Sequence, residues 1–261
     1  MQCPTLSANI NNIPLNPVLD KTYEILEHVI AAVSKVCPDV FIHFGGDEVV
    51  RSCWKQDARI TQWMQKRGWT DYDELVGYFV SRLEPIYRKY RKTMVAWEEL
   101  LLSYGNHHPL AKGTVVQAWR SKQSLGQIIG SGYHALLSSG WYLDKQKPGN
   151  STFYLWGDTW ESFYANDPTA GMGFTREQES RLLGGEAAIW GEHVDATNIE
   201  TRVFPRVLGT AERLWSQASN TQNVDQARER LIFARCHVLV RRDIQAFPIR
   251  PDYCDAVERH Y

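Results

Sequence analysis

Val40-Phe41-Ile42-His43-Phe44-Gly45-Gly46-Asp47-Glu48 is the stretch on which the reading of this chain turns. Val40 to Phe44 is an apolar run of strand length, and it ends in two glycines followed by two adjacent carboxylates. Side-by-side acids just past a buried strand serve no structural purpose that an apolar or amide pair would not serve better. Each ionised group resists desolvation and the charge of the other. The pair therefore points to chemistry placed at the carboxyl end of a strand.

Outward from this stretch, amphipathic helices alternate with further strands. Upstream, Asn16-Pro17 reads as an N-cap and first helical residue, and Leu19, Tyr23, Leu26, Ile30 and Val33 form a stripe that Pro38 stops. Downstream, a short helix is expected from Trp54 to Lys66 and a longer one from Asp71 to Arg91, with Leu75, Phe79, Leu83, Ile86 and Tyr90 on one face and a kink at Pro85. Four more strands follow, at Thr93 to Trp97, Thr114 to Trp119, His134 to Ser138 and Leu182 to Trp190. Helices are expected at Ser121 to Gly130, Val203 to Ser216 and Val224 to Arg242. Strand followed by helix, five times over, argues for an α/β fold with a parallel sheet wound by right-handed crossovers.

The unusual residues recur at one place in these units. Asp47-Glu48, Trp97-Glu98-Glu99, Trp119, Trp141-Tyr142-Leu143-Asp144 and Trp190-Gly191-Glu192 all fall at or just beyond a strand's carboxyl end. In a β/α barrel those ends converge on one mouth, where such barrels carry their sites. A dinucleotide-binding sheet would show a glycine-rich phosphate turn, and Gly45-Gly46 and Gly184-Gly185 lack that spacing. They read better as close backbone approaches. The bland alternatives differ by residue. Trp119 and Trp190 follow apolar runs and on pattern alone are core, Glu98 and Glu99 read as a solvated loop pair, and His43 as a satisfied core histidine or a residue orienting Asp47. Glu186 reads as a buried carboxylate with Arg206 or Arg213 as partner, and Glu212-Arg213 as a structural ion pair. His107-His108 lacks further ligands at metal spacing and reads as loop.

Composition closes off several classes. With 261 residues, 43% apolar and 23% charged, the chain can bury a large core, and its formal net charge of −1 creates no field for nucleic acid or an anionic membrane. No apolar stretch is long enough to span a bilayer. Ten tryptophans and twelve tyrosines offer flat faces suited to sugar rings. Five cysteines leave at least one thiol unpaired. Cys37, after an apolar-periodic segment, reads as a small buried hydrophobe, whereas Cys236 and Cys254 bracket a turn-rich segment suited to a short closed loop. Asn150-Ser151-Thr152 is a glycosylation acceptor triplet and, with the cysteines, leans towards a lysosomal or secreted protein. Met1 is followed by neither a basic nor an apolar signal-type segment, so the expectation is either a signal upstream of this start or no export.

These residues carry a resemblance. Phe41 to Glu48, Trp141 to Asp144, Gly184-Gly185-Glu186-Ala187-Ala188-Ile189-Trp190-Gly191-Glu192 and Ala211-Glu212-Arg213-Leu214-Trp215-Ser216 resemble, in order and spacing, motifs of the β-N-acetylhexosaminidases of glycoside hydrolase family 20. The likeness runs from about residue 13 to the C-terminus. It implies retaining hydrolysis of terminal β-linked N-acetylglucosamine or N-acetylgalactosamine, assisted by the substrate's 2-acetamido group and needing no cofactor or metal. By the resemblance Glu48 is general acid and then base, Asp47 holds the acetamido N–H, and Tyr142 hydrogen-bonds the acetamido oxygen. Trp97, Trp119 and Trp190 wall the pocket, and Asp144 and Glu192 bind sugar hydroxyls or orient the acetamido group. Beside an ionised Asp47, Glu48 is expected to titrate high, as a general acid requires.

The resemblance also pairs Cys3 with Cys53 and Cys236 with Cys254, leaving Cys37 free. It implies that residues 1–261 are the C-terminal portion of a (β/α)8 TIM barrel, strands four to eight with their helices, with the first three strands and a preceding small domain absent. The expected sheet is then open at both edges. Family members often pair as dimers, so a homodimer of the full-length parent is a further expectation. The alternative is an impaired fragment acting at most as a weak sugar-binding remnant.

Overall fold

Continuous apolar runs form strands here wherever both faces of the backbone can be covered. β1 (Phe41–Gly45), β2 (Thr93–Trp97), β3 (Val115–Ala118), β4 (His134–Leu137) and β5 (Leu182–Gly185) build one sheet in the order β1-β2-β3-β4-β5. β1 pairs β2 and β2 pairs β3 in parallel. The computed structural model describes residues 3, 13–145, 159–250 and 254, so the glycosylation triplet at Asn150 lies outside the described residues. Two compact units divide the chain, one of 1–118, 123–136 and 180–182 and the other of 119–122, 137–179 and 183–261.

The first unit holds β1 to β3 and the starts of β4 and β5. It also holds helices α1 (Asp20–Val36), α2 (Arg51–Lys55), α3 (Ala58–Gln65), α4 (Asp73–Lys89), α5 (Glu99–Leu102) and nearly all of α6 (Lys122–Gly130). β2 and β3 are its buried centre: Met94 to Trp97 and Val115 to Ala118 are all buried, as are Leu125, Ile128 and Ile129 of α6. The Val, Leu, Ile and Met side chains among them each contribute about 1.5–3 kcal/mol by leaving water. β1 lies at one end of the strand order, and its alternate residues are exposed, Phe41 among them. On α1, Ile25, Val29 and Val36 are exposed as well.

Three local expectations are corrected in this unit. α1 begins at Asp20 rather than at Pro17, because the Asn16 side-chain oxygen accepts from the Val18 N–H (3.0 Å) and closes a turn ahead of the helix. The helix expected over Trp54 to Lys66 is two helices, split at Asp57, whose carboxylate caps α3 by accepting from the Arg59 N–H at 2.9 Å. Cys37 is exposed, not buried, because it caps the C-terminus of α1 and its carbonyl takes a bond from Lys92 Nζ (2.8 Å). Lys92, only 8% exposed, also donates to the Asp39 carbonyl, so one buried ammonium holds the link between α1 and β1. α4 continues through Pro85, and its buried side chains are Leu75, Val76, Val80, Leu83 and Tyr87, so Leu75 and Leu83 of the expected stripe are buried and Phe79, Ile86 and Tyr90 only half-buried.

In the second unit, α7 (Trp160–Ala165), α8 (Arg176–Glu179), α9 (Ile199–Val203), α10 (Arg206–Trp215) and α11 (Val224–Phe233) follow in chain order. Trp160, Tyr164, Ala227 and Leu231 form a cluster, with Leu208, Val224 and Ile249 packed on it. A Cβ at Gly209 would lie 2.8 Å from the Trp160 carbonyl oxygen, so glycine is what lets α10 approach α7. The helix expected over Val203 to Ser216 is interrupted at Phe204-Pro205, where proline cannot supply a helical N–H. The one expected over Val224 to Arg242 passes into a wider π turn at Ala234–Leu239. Glu212 and Arg213 do not pair with each other: Glu212 binds Arg230, and Arg213 faces Asp167 at 3.6 Å and donates to the Tyr164 carbonyl at 2.7 Å. Residues one apart on a helix point in different directions, which is why adjacency misled. Both expected disulfides are present, Cys3–Cys53 and Cys236–Cys254, and Cys37 is the free thiol.

Candidate active site

β1 delivers the acidic pair through a bulge. Its register with β2 runs Phe41 to Thr93, Ile42 to Met94 and His43 to Val95, then shifts so that Gly45 rather than Phe44 faces Ala96. A bulge bends a strand and re-aims the residues beyond it. Gly45 (φ +85°), Gly46 (φ +96°) and Glu48 (φ +46°) then hold left-handed conformations in quick succession. Glycine tolerates this freely; Glu48 does so at a cost of about 1–3 kcal/mol, a strain characteristic of functional sites. Gly46 has a second reason to be glycine, since a Cβ there would meet Leu100 at 2.7 Å.

Asp47 and Glu48 are exposed in this chain, yet enough protein surrounds the Asp47 carboxyl that burial pushes it above the ordinary carboxylate range, with the Glu48 charge adding to the push. The imidazole of His43 lies against the Trp97 indole (ring centroids 4.8 Å apart), and its Nε2 is 3.1 Å from the Gln117 side-chain oxygen. The carboxyl ends of β1, β2 and β3 thus meet around one histidine. Glu98 and Glu99, expected as a solvated pair, are 1% and 2% exposed, and Glu98 accepts from the Ser124 hydroxyl of α6 at 3.0 Å. They are buried because α5 starts immediately after β2 and folds them inward. His107 and His108 lie in a loop as expected, but they have acidic neighbours: Asp71 at 3.7 Å and Glu84 at 3.3 Å.

In the second unit, the Trp141–Asp144 loop is zipped to the segment after β5. The expected fifth strand stops at Gly185, and pairing resumes as a single parallel bridge between Tyr142 and Ala188. The Leu143 N–H donates to the Ala188 carbonyl at 2.7 Å, and the Ala188 N–H to the Trp141 carbonyl at 3.0 Å. Trp141 is fully buried and donates through Nε1 to the Phe163 carbonyl (2.9 Å). Gly185 lets the two segments approach, since a Cβ there would lie 2.4 Å from the Leu137 oxygen and 2.5 Å from the Trp141 ring. One glycine of each pair, Gly46 and Gly185, is thus a close approach as expected, whereas Gly45 and Gly184 are not crowded and hold positive φ instead.

This zipper gathers three of the expected site residues. The Trp190 backbone N–H donates to Asp144 Oδ1 at 3.2 Å, and the Tyr142 hydroxyl hydrogen-bonds with Ser138 and the Trp190 indole. Burial pushes the Tyr142 phenol up to about 12, so it stays protonated and can donate a hydrogen bond at any physiological pH. Arg202 binds the Asp144 carbonyl at 3.1 Å, and the buried Arg206 binds the Leu143 carbonyl, so two arginines hold the loop by its backbone. Trp190 is 43% exposed, so the core reading of it does not hold. Glu186 is exposed, not buried as expected. Glu192 lies exposed in the short turn Gly191–His193, and Trp119 is half-buried with the Arg120 guanidinium 5.2 Å from its ring. Gln117, Ser138 and Arg202 escaped the sequence reading, since nothing in a single sequence marks a partner so distant along the chain.

The family model for the catalytic domain of glycosyl hydrolase family 20 matches residues 2–218. The chain is 40% identical over 252 residues to beta-hexosaminidase subunit A1 of Dictyostelium discoideum, covering 97% of this chain and 46% of that protein. It is 39% identical over 248 residues to beta-hexosaminidase subunit alpha of Mus musculus, covering 93% of this chain and 44% of that one. The chain thus spans less than half the length of these curated relatives. Among solved structures, Flavobacterium johnsoniae chitobiase superposes with a TM-score of 0.70 at 34% identity, covering 83% of this chain and 32% of the other. An exo-β-N-acetylglucosaminidase mutant of Vibrio harveyi superposes with a TM-score of 0.77 at 23% identity, which speaks to the fold alone.

Proposed function

The chain belongs to glycosyl hydrolase family 20, and from that premise we propose that it carries the acid–base machinery of an enzyme releasing terminal, non-reducing β-linked N-acetylglucosamine or N-acetylgalactosamine with retention of configuration. The observation that carries the reading is the Asp47-Glu48 pair, set on a bulged, left-handed turn at the carboxyl end of β1. Families that use the substrate's own amide, this one among them, are set apart from the usual two-carboxylate glycosidase scheme.

In this scheme Glu48 protonates the glycosidic oxygen as the bond to the anomeric carbon breaks. The acetamido carbonyl oxygen attacks that carbon from the opposite face, and Asp47 accepts a hydrogen bond from the acetamido N–H, stabilising the positive charge that develops there. Tyr142 donates to the acetamido oxygen and fixes its direction; a protonated phenol suits that role. Glu48, now a carboxylate, takes a proton from water, which opens the cyclic intermediate with a second inversion. Proton transfer of this kind contributes roughly 10² to 10⁴ in rate. Trp97, Trp119 and Trp190 enclose the sugar and the acetamido methyl, and Asp144 and Glu192 accept from hydroxyls.

The five strands serve in this reading as strands four to eight of a (β/α)8 barrel, within the half of the relatives' length that the chain matches. Two disulfides suit an oxidising compartment, lysosomal or extracellular. Assembly as a homodimer belongs to the same proposal. No helix among the described residues is long and apolar enough to cross a membrane. Hydrolysis of a chromogenic β-N-acetylglucosaminide beside a Glu48→Gln variant tests the assignment. A fall of at least 10²-fold in kcat is expected, and equal rates remove Glu48 as the acid.

A further inference from the structure

The bulge in β1 leaves a backbone problem that His43 solves. With Phe44 as the extra residue, the strand's regular alternation breaks between His43 and Gly45. The Gly45 N–H donates instead to Nδ1 of His43, at 3.0 Å. A backbone amide can only donate, so Nδ1 must carry a lone pair and no proton. The other ring nitrogen, 3.1 Å from the side-chain oxygen of Gln117, then holds the proton and donates it there. Gln117 is fully buried on β3, two strands away from β1, and Trp97 of the intervening β2 lies against the imidazole ring. Sheet, ring and turn are thus connected in one direction: Gln117 sets the tautomer, the tautomer offers an acceptor, and the acceptor holds Gly45 two residues before Asp47.

We infer that His43 is a positioning residue which, as a neutral imidazole protonated on Nε2, substitutes for the strand bond displaced at the bulge and thereby fixes the Gly45–Glu48 turn. Its bearing on catalysis rests on the reading that Asp47 and Glu48 do the chemistry; its structural content does not. Two of the four residues in the turn are glycines with positive φ, which unpinned would sample many conformations. A misplacement of about 1 Å at reacting groups costs on the order of 10²-fold in rate, so pinning this turn matters more than the single hydrogen bond suggests.

The test uses the protein labelled with ¹⁵N in its histidines, together with His43→Leu, His43→Asn and Gln117→Leu. Nitrogen shifts should show His43 with a protonated Nε2 and an unprotonated Nδ1, and Gln117→Leu should mix the two tautomers. Hydrogen exchange of the Gly45 amide should accelerate about tenfold or more in His43→Leu, the scale of one lost hydrogen bond. In His43→Asn exchange should stay slow, because the asparagine side-chain oxygen can stand where Nδ1 stood. With substrate, kcat should fall about 10- to 100-fold in His43→Leu with KM little changed, and recover in His43→Asn. A protonated Nδ1 in the unmodified protein overturns the inference even if no variant folds, and so does unchanged Gly45 exchange in His43→Leu. If the tautomer and exchange results hold while the unmodified protein cleaves no N-acetylhexosaminide, the proposed function fails and the inference about the turn stands.

Discussion

Replacing Gly46 by alanine probes the turn where geometry and packing act together. The residue holds φ +96°, and an added Cβ would lie 2.7 Å from Leu100 Cγ, 2.8 Å from Cδ2 and 3.0 Å from Cδ1. Carbon atoms prefer separations of about 3.5–4.0 Å, so Leu100 would have to retreat by roughly 1 Å. It is 1% exposed and has nowhere to go. Backbone strain at such a φ costs about 1–3 kcal/mol, and overpacking a filled core adds about 1–3 kcal/mol. Gly46→Ala should therefore destabilise by about 2–6 kcal/mol, a large share of the about 5–15 kcal/mol that holds a domain together. Gly45→Ala is the internal control. It has a similar φ of +85°, but the nearest atom to its Cβ is Asp47 Oδ1 at 4.0 Å, so only the strain of about 1–3 kcal/mol applies. Urea unfolding followed by tryptophan fluorescence reads both, provided the m values match. The double variant Gly46→Ala/Leu100→Ala separates the contributions further, because trimming Leu100 should relieve the clash and give a coupling of at least about 1 kcal/mol. Equal costs for the two glycine variants, or strict additivity of Gly46→Ala with Leu100→Ala, would refute the packing argument.

Electrostatics sets two more outcomes. Burial, with the Glu48 charge, raises the Asp47 carboxyl above its ordinary value of 3.8, so the fold favours its protonated form. The stability this contributes is complete below the unfolded value and is lost as pH rises through the folded one. Asp47→Asn should thus be more stable than the unmodified protein at pH 7, with the difference shrinking towards pH 4; a melting-temperature difference independent of pH contradicts this. Lys92→Met should cost about 1–3 kcal/mol in urea titrations, since it removes charge-assisted bonds to the Cys37 and Asp39 carbonyls, while exposure at Cys37 lets water replace part of them. A neutral result would mean that the link between α1 and β1 holds without the ammonium.

The features legible in the sequence and those hidden from it divide along physical lines. β2 and β3 were legible because Met94 to Trp97 and Val115 to Ala118 are mostly apolar runs with both faces covered, Gln117 being the one polar residue, and such runs admit few alternatives at strand length. The Asp47-Glu48 pair was legible because adjacent acids after a strand are costly. Breaks at Asp57 and Pro205 were hidden in plain view: each is a local signal, a capping aspartate and a proline, masked by the longer apolar stripe around it. The burial of Glu98 was not legible at all, since it depends on Ser124, which reaches it from α6. His43 was legible only as a candidate for orienting Asp47; its partner Gln117, 74 residues away, and its bond to Gly45 beside the bulge were not. Contacts between distant residues are decided by packing, and one sequence records packing only indirectly.

The central claim is that the ligand's own amide is the nucleophile, steered by Asp47 and Tyr142 while Glu48 moves the proton. Its most direct measurement compares two chromogenic substrates with the same leaving group, a β-N-acetylglucosaminide and the β-glucoside that has a hydroxyl in place of the acetamido group. Turnover of the first alone, with Asp47→Asn greatly slowing it, is the predicted result. Comparable turnover of the glucoside, equally insensitive to Asp47→Asn, would show that the nucleophile belongs to the protein and contradict the account.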